Sequence, residues 1–415
     1  MSGAAWRLPP FLESPAWEAV RKGETTDVYF DRTHRILQEL KLDRTPVYAE
    51  VTCGEVPSSP WGVFTGVAGV LELLRGLPVN VYAVPEGTVF APKDEAGIRV
   101  PLLAVEGPYG TWGRLETATL GLLCQPSGIT SATARVRRAA GDLPLLSFGT
   151  RRMHPYLAAV VDYYAFVGGC DSVSAVFSAR VMGKRAVGTM PHALMLVAGS
   201  DEEAWAAFDA YIERDVPRIA LVDTFRDEKF GALSAAERLG KKLVGVRLDT
   251  PGSRRGDFVS LVQEVRHALD EAGHAHVKIY VSGGLDAASV RELRAAGARG
   301  FGVGTSVAGA PPVDFSLDIV EVEGRTRVKR GKFGGRKTSY RCFDCFRWFV
   351  FGKDRRAPGK CPHCGGSLEQ LLKPLMQNGR PSGPQPSADE LRDAVLAQLK
   401  RMPDPYGALP AGWKP

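Results

Sequence analysis

The sequence lacks the long apolar runs that a membrane-spanning helix requires, because no uninterrupted stretch reaches roughly 18 residues. It also shows no fixed-period repeat and no low-complexity array. The stretch Met1–Pro15 contains Pro9, Pro10 and Glu13 and has no long apolar core, so we expect no secretory signal there. These absences predict a soluble, cytoplasmic protein without a membrane partner.

Cysteine is scarce and is unevenly placed. Of seven cysteines, four form two close pairs near the C-terminus, whereas Cys53, Cys124 and Cys170 stand alone among apolar residues. This distribution is typical of a metal site and not of a disulfide framework. We interpret the three single cysteines as ordinary core residues.

Excess charge is absent from most of the chain. The 53 basic and 46 acidic residues differ by seven, and seven basic residues lie without any acid between Arg325 and Lys337. Outside that basic run, 46 basic residues balance 46 acidic ones. The net charge of +7 therefore does not by itself predict a nucleic-acid-binding surface.

A chain of 415 residues with 44% hydrophobic residues is long enough for two or three domains. The pattern predicts an N-terminal α/β domain over residues 1–114, completed by a returning strand at 315–328, and a (β/α) barrel over residues 115–314. A basic linker and a small module with four cysteines follow at 329–375. Residues 376–415 are predicted to form a linker and a C-terminal helix, Ala388–Arg401.

Strands and helices alternate in the central region, which favours parallel strands joined by crossover helices. Leu115–Ala140 has the apolar spacing of a helix pair, and helical patterns also cover Glu202–Arg214 and Asp257–Ala272. The predicted strands are Leu145–Phe148, Val173–Phe177, Ala186–Thr189, Arg218–Val222, Leu243–Leu248, Lys278–Val281 and Gly300–Val303.

Polar residues follow these strands, and the carboxyl ends of barrel strands face one common site. Asp223 and Asp249 suit ribose hydroxyls or a magnesium ion, although either carboxylate also suits a helix cap. Arg151, Arg152 and Arg247 are suited to a carboxylate or a diphosphate, because guanidinium pairs bidentately with such anions. His192 is a lone imidazole in an apolar stretch, where a structural role is common.

Two glycine-rich turns follow neighbouring strands and predict a phosphate cradle. The first reads Ser282-Gly283-Gly284, and the second lies in GFGVGT, which includes Gly302, Gly304 and Thr305. Glycine allows backbone N–H groups to approach a phosphate closely, and a following helix N-terminus favours negative charge.

The two cysteine pairs predict a structural zinc site. Cys342-x2-Cys345 is separated by fifteen residues from Cys361-x2-Cys364, and each pair supplies two ligands from one tight turn. Four thiolates complete a tetrahedron and leave no position for a catalytic water. A zinc ribbon that binds nucleic acid together with the adjacent basic run is the alternative of another class.

The chain resembles the nicotinate phosphoribosyltransferases between roughly Asp27 and Val328. The resemblance is carried by TDVYF, VEGP, LET, ARVRRAAG, SFGTRR, GTMPH, LVDTF, VRLD, and SGGLD with FGVGT. It implies an N-terminal α/β domain and an irregular (β/α) barrel of the type II phosphoribosyltransferase kind. The shorter length and the cysteine module resemble an archaeal-type branch. The resemblance also implies a homodimer or higher homo-oligomer with residues of both subunits in each site.

The resemblance implies a role for each candidate residue. Tyr29 would stack on the pyridine ring across the subunit interface, with Phe148 opposite and Arg247 near the carboxylate. The phosphoribosyl group would lie against the strand-end residues of SFGTRR, LVDTF, VRLD, SGGLD and FGVGT, which are Thr150, Arg151, Arg152, Asp223, Asp249, Ser282, Gly283, Gly284, Gly302, Gly304 and Thr305. His192 matches a histidine that ATP phosphorylates in many family members.

The implied reaction joins nicotinate to 5-phosphoribosyl 1-diphosphate in the presence of Mg²⁺, with ATP as a co-substrate, for NAD biosynthesis. It requires positioning and charge stabilisation and no protein nucleophile. Quinolinate and nicotinamide are the alternative bases. FGTRR and GTMPH favour nicotinate over quinolinate.

Overall fold

The computed structural model describes residues 15–403. The expectation of no secretory signal concerns residues that lie almost wholly outside this range. The helices are α1 Pro15–Arg21, α2 Val28–Glu39, α3 Val67–Leu73, α4 Tyr109–Trp112, α5 Glu116–Ala140, α6 Ala158–Val167, α7 Val176–Val181, α8 His192–Ala198, α9 Asp201–Tyr211, α10 Glu228–Leu239, α11 Phe258–Glu271, α12 Ala287–Ala296, α13 Thr305–Ala308 and α14 Ala388–Arg401. None of the helices in residues 15–403 is long and apolar enough to cross a membrane.

Most strands belong to two large sheets, one antiparallel and one parallel. The strands are β1 Pro46–Cys53, β2 Gly62–Phe64, β3 Asn80–Ala83, β4 Thr88–Phe90, β5 Leu103–Pro108, β6 Leu145–Ser147, β7 Arg218–Leu221, β8 Leu243–Leu248, β9 Lys278–Ser282, β10 Gly300–Val303, β11 Phe315–Val322, β12 Arg325–Thr326, β13 Lys337–Cys342, β14 Trp348–Gly352, β15 Leu368–Gln370, β16 Lys373–Gln377 and β17 Arg380–Pro381. The described residues divide into two compact units, one ending at Ala134 and resuming at Ala310, the other spanning Arg135–Gly309.

The first unit is built on an antiparallel sheet in the order β12-β11-β1-β5-β3-β16-β17. Successive side chains of β1 point to opposite faces. Val47, Ala49, Val51 and Cys53 enter the main apolar core on one face. In the segment where a returning strand was expected, β11 pairs antiparallel with β1 from Val47–Val322 to Cys53–Phe315.

The other face of this sheet carries buried acids that the basic run neutralises. Glu50 is almost fully buried on β1 and Asp318 on β11. The ion pairs are Lys329–Asp318 at 2.6 Å, Lys332–Asp318 at 2.5 Å, Arg336–Glu106 at 2.7 Å, Arg336–Glu321 at 2.7 Å and Lys337–Glu50 at 2.8 Å. Burial opposes ionisation of Asp318, yet its two lysine partners hold its pKa below the usual range. Four cations of the basic run thus form ion pairs with acids of this sheet. This pairing argues against a nucleic-acid-binding surface.

The cysteine module packs onto the first unit. Its sheet has the order β14-β13-β15, and Trp348 and Val350 of β14 join the main apolar core. The Ser339 hydroxyl donates to the Pro101 carbonyl at 2.6 Å, and the Val350 N–H donates to Asp94 Oδ2 at 3.0 Å. Loss of the module's fold would therefore expose part of the core of the first unit.

The second unit is built on a parallel sheet in the order β6-β10-β9-β8-β7, flanked by helices. The strands predicted near residues 145, 218, 243, 278 and 300 are confirmed to within one or two residues at their ends. The expected α/β class with parallel strands is confirmed as well. The carboxyl ends of these five strands lie at one edge of the sheet, as parallel strands require.

Two predicted strands are wrong. Val173–Phe177 makes only isolated contacts at its start, where Ser172 bridges Leu146, and α7 begins at Val176. Ala186–Thr189 forms no strand, although the Val187 N–H donates to the Val173 carbonyl at 2.9 Å. The first segment is joined to β6 by an isolated bridge, and the second is joined to the first by a hydrogen bond, so neither forms a ladder. The barrel is irregular there.

Two further expectations need correction. Leu115–Ala140 forms one helix, α5, with Pro126 inside it, and not a helix pair. The hydroxyls of Ser127 and Ser131 on α5 accept from the backbone of Thr65 and Val63, so tertiary contacts anchor the helix just after that proline. The segment expected to be a linker is not free of regular structure, because it contains β17. This strand pairs with β16, and β16 pairs with β3 of the large sheet.

Candidate functional site

A cleft of about 830 Å³ opens beside the carboxyl ends of the parallel strands in the second unit. Parallel α/β sheets commonly bind ligands at this edge. The residues that line the cleft are Phe148, Thr150, Arg151, Met153, Pro155, Ala158, Ser174, Ala175, Ala186, Val187, Gly188, Thr189, Met190, Pro191, His192, Arg247 and Asp249.

Arg247 is the buried cation of the cleft. It lies near the end of β8 and is 7% exposed. Its guanidinium donates to the Ser282 hydroxyl at 3.1 Å and to the Met190 carbonyl at 2.8 Å, and it pairs with Asp249 at 3.2 Å. Its Nε is buried and has no acceptor among residues 15–403. A buried donor without an acceptor costs free energy, so an anionic group in the cleft would complete this arrangement.

Asp249 and Asp223 follow β8 and β7 and belong to one hydrogen-bonded group. Asp249 Oδ1 accepts from the Ser282 hydroxyl at 2.6 Å. Asp223 Oδ2 accepts from the Asp249 N–H at 2.8 Å and from the Thr250 hydroxyl at 3.1 Å. Burial raises the pKa of Asp223, although the Asp249 N–H and the His192 ring oppose the shift.

His192 begins α8 and faces both carboxylates. Its Nε2 lies 3.6 Å from Asp249 Oδ2 and 3.9 Å from Asp223 Oδ1, while Nδ1 lies 3.2 Å from the Thr224 hydroxyl. The structure therefore brings together His192, Asp223, Asp249 and Arg247, which are distant in the sequence. The imidazole is about one third exposed and borders the cleft.

The glycine turns lie at the adjoining ends of β9 and β10, and none of them lines the cleft itself. Gly283 and Gly284 have φ values of +96° and +69°, which only glycine adopts without strain. The Gly283 carbonyl accepts from Arg255 at 2.9 Å. A Cβ at Gly302 would lie 2.4 Å from the Phe148 ring, so glycine there makes room for that ring. Gly304 directly precedes Thr305, the first residue of α13.

The SFGTRR segment supplies one wall of the cleft. Phe148, Thr150 and Arg151 line it, whereas Arg152, in the same short 3-10 turn, does not. Tyr29 belongs to the first unit, where it is the second residue of α2 and is 57% exposed.

Sequence reasoning missed several residues of the cleft. Ser174 and Ala175 were assigned to a strand, and Met153 and Pro155 were given no role, yet all four line the cleft. Thr224 and Arg255 also escaped notice, although each contacts a predicted site residue. Thr224 lies two residues after the predicted strand Arg218–Val222, and that position was a usable signal. Ala175 directly precedes α7, which was not predicted.

The four predicted cysteine ligands lie together. Their sulfur atoms are all within 4.8 Å of one another, and the Cys342–Cys364 and Cys345–Cys361 Sγ distances are 3.4 and 3.7 Å. Zn–S bonds of about 2.3 Å in a tetrahedron place the sulfurs about 3.8 Å apart. The cluster therefore fits a metal such as zinc, as the spacing predicted.

Comparisons with known proteins agree with this arrangement. Residues 27–127 match the family model for the N-terminal domain of quinolinate phosphoribosyl transferase, and residues 129–318 match the model for its C-terminal domain. A crystal structure of nicotinate-nucleotide pyrophosphorylase from Pyrococcus furiosus aligns with a TM-score of 0.88 and 50% identity over 92% of this chain and 96% of that chain.

Two curated relatives come from Mycobacterium tuberculosis. Nicotinate phosphoribosyltransferase pncB1 is 34% identical over 254 residues, which are 58% of this chain and 55% of that protein. Nicotinate phosphoribosyltransferase pncB2 is 34% identical over 343 residues, which are 78% of this chain and 69% of that protein. The alignment with pncB1 thus spans about half of the length of that relative.

Proposed function

Because the chain belongs to the nicotinate phosphoribosyltransferase family, we propose that it transfers a phosphoribosyl group from 5-phosphoribosyl 1-diphosphate to nicotinate. The products are nicotinate mononucleotide, a precursor of NAD, and diphosphate. The observation that carries this proposal is Arg247, a buried guanidinium at the cleft, whose Nε–H has no acceptor in the part of the chain that the structure describes. A pyridine carboxylate supplies such an acceptor.

In the proposed reaction the pyridine nitrogen forms a bond to C1 of the ribose while the bond from C1 to the diphosphate oxygen breaks. No protein nucleophile takes part, so the protein orients the two substrates and stabilises the departing charge. Phe148 supports the ring, and Arg151 and Arg152 face the diphosphate. The glycine turns after β9 and β10 bind the 5′-phosphate, because their backbone N–H groups donate hydrogen bonds to its oxygens.

Asp223 and Asp249 would hold a Mg²⁺ ion, because carboxylate oxygens are its preferred protein ligands and Asp223 Oδ1 has no donor within residues 15–403. Such an ion would neutralise part of the charge of the substrate diphosphate. The same two carboxylates are placed to accept hydrogen bonds from the ribose hydroxyls. Ser282 and the Asp249 N–H keep the carboxylates in position.

We further propose that ATP is a co-substrate that phosphorylates His192. In support, Nδ1 lies 3.2 Å from the Thr224 hydroxyl, and the ring, about one third exposed, borders the cleft. Asn at position 192 retains a polar group toward Thr224 but has no imidazole to phosphorylate. We expect His192→Asn to lose ATP stimulation and to retain some basal transfer, measured as diphosphate release with and without ATP. Equal stimulation of the variant and the wild type would exclude a phosphohistidine.

We propose that the protein acts as a homodimer or a higher homo-oligomer and that Tyr29 of one copy stacks on the ring bound by another. In support, no residue of α2 is buried, and Val28, Tyr29, Ile36 and Leu40 are all more than half exposed. Exposed apolar side chains on one helix are typical of an interaction surface.

The choice of base is tested by diphosphate release from 5-phosphoribosyl 1-diphosphate and Mg²⁺ with nicotinate, nicotinamide or quinolinate. We expect release with nicotinate alone. The quinolinate alternative is favoured by the description of the matching family models. Release with quinolinate and none with nicotinate would establish that alternative, and silence with all three bases would overturn the proposed function.

A further inference from the structure

Helix α6 buries one carboxylate in an otherwise uncharged segment. Its sequence is AAVVDYYAFV, and Asp162 at its centre is 0% exposed. No ion pair within residues 15–403 involves Asp162. Burial raises the pKa of its carboxyl, and hydrogen bonds from its surroundings oppose that shift. An unpaired buried acid is costly, so its hydrogen bonds must be supplied by nearby donors.

The donors come from two neighbouring segments that both contribute to the cleft lining. The Ser147 hydroxyl, at the end of β6, donates to Asp162 Oδ1 at 3.2 Å. The Ala175 N–H, just before α7, donates to Asp162 Oδ2 at 3.3 Å. The hydroxyls of Ser178, on α7, and of Thr150 also lie near the carboxylate and oppose the rise of its pKa. One side chain beneath the cleft therefore links the Ser147–Thr150 segment to the Ser174–Ala175 segment.

This link also explains the missing strand at Val173–Phe177. The Ala175 N–H donates to Asp162 and not to a carbonyl of a neighbouring strand. Only an isolated bridge joins this segment to β6, so the carboxylate determines where Ala175 lies relative to Phe148. Phe148 and Ala175 both line the cleft, and Phe148 is the ring that would support a planar base.

We propose that Asp162 is a positioning residue for the base. It fixes where Ala175 lies beside Phe148, two residues that both line the cleft, and so shapes the wall against which a flat aromatic ring would pack. Asp162 acts through these segments and does not line the cleft. The inference rests on the proposed function for the identity of the base, but the link between the two segments does not depend on it.

Replacing Asp162 with alanine removes both acceptors, and we expect KM for nicotinate to rise about tenfold, as the loss of two hydrogen bonds implies. KM for 5-phosphoribosyl 1-diphosphate should rise clearly less, by about twofold, because only the Thr150–Arg152 turn adjoins the link while Asp223, Asp249 and the glycine turns lie elsewhere. Asp162→Asn should recover most of the loss, since its oxygen accepts from Ala175 and the Ser147 hydroxyl can turn to accept from its amide. Ser147→Ala, which removes one hydrogen bond, should give an intermediate KM and is the variant to use if Asp162→Ala fails to fold.

Glu86→Gln is the matched control. Glu86 is a second buried carboxylate without a cation, and it accepts from the Gly66 and Ala68 N–H groups in the first unit. We expect this variant to lower the melting temperature and to leave both KM values unchanged. An Asp162 series in which both KM values rise together, or in which KM for nicotinate does not change, would overturn the positioning role.

Calorimetric titration with nicotinate separates this inference from the proposed function. Wild-type protein that binds nicotinate but releases no diphosphate would overturn the function. The Asp162 inference would then be decided by nicotinate affinity alone, which Asp162→Ala should weaken about tenfold and Asp162→Asn should largely retain.

Discussion

Replacing Arg247 with alanine is expected to raise KM for nicotinate by roughly 100-fold, because charge-assisted hydrogen bonds contribute about 1.5–3 kcal/mol each. KM for 5-phosphoribosyl 1-diphosphate should rise far less. The expected rise in KM for nicotinate is large because the Arg247 guanidinium is 7% exposed and is fixed by contacts with Ser282, Met190 and Asp249. No other cation can therefore take its place in the variant. Steady-state diphosphate release with each substrate varied in turn measures the two constants.

Two variants make this result interpretable. Arg247→Lys keeps a charge for Asp249 but lacks the planar fork that donates to Ser282 and Met190, so it should recover only part of the loss. Arg254→Ala removes an exposed cation seven residues away in the sequence and should change neither constant. An unchanged KM for nicotinate in folded Arg247→Ala protein, checked by circular dichroism, would remove Arg247 from the base site.

Removal of the metal from the cysteine module is expected to lower the melting temperature by roughly 10–20 °C. Structural zinc contributes about 10–16 kcal/mol to the folding of small zinc domains, and even a third of that amount corresponds to such a shift for a unit of this size. Here the effect extends beyond the module, because Trp348 and Val350 belong to the main core of the first unit. Calorimetry with and without a chelator measures the shift.

Two cysteine substitutions and a metal analysis are the controls for the zinc prediction. Cys361→Ser should reproduce the effect of the chelator, whereas Cys124→Ser, outside the cluster, should lower the melting temperature much less. Diphosphate release should persist at temperatures where the metal-free protein remains folded. Metal analysis that finds no zinc in freshly purified protein would contradict the four-thiolate assignment.

The cysteine site and the strand-end residues illustrate what local sequence can predict. Cys342, Cys345, Cys361 and Cys364 were identified because the spacing of two CxxC turns is itself the geometry of the site. His192, Asp223, Asp249 and Arg247 were expected to converge because parallel strands place their carboxyl ends at one edge. The distances among them agree with that expectation.

Other features had no local signal. The basic run has the composition of a nucleic-acid-binding segment, but its lysines face Asp318 and Glu50, which are close only because β11 pairs with β1. Val173–Phe177 has the apolar pattern of a strand, yet the carboxylate of Asp162 accepts from Ala175 and α7 follows at once. In both cases the partner of a polar group lies on another element of the fold, outside the segment whose pattern was used for the prediction.

The sequence by itself determined the α/β class, the alternation that produces a parallel sheet, the cluster of four cysteines and the residues at the strand ends. These depend on periodicity and on short spacings, which are local properties of the chain. Only the tertiary structure decided which wall of the cleft Ala175 forms, which acids the basic run neutralises and how deeply Arg247 is buried. Those outcomes depend on which donors and acceptors remain unpaired once the sheets have formed, and that is a property of the whole fold.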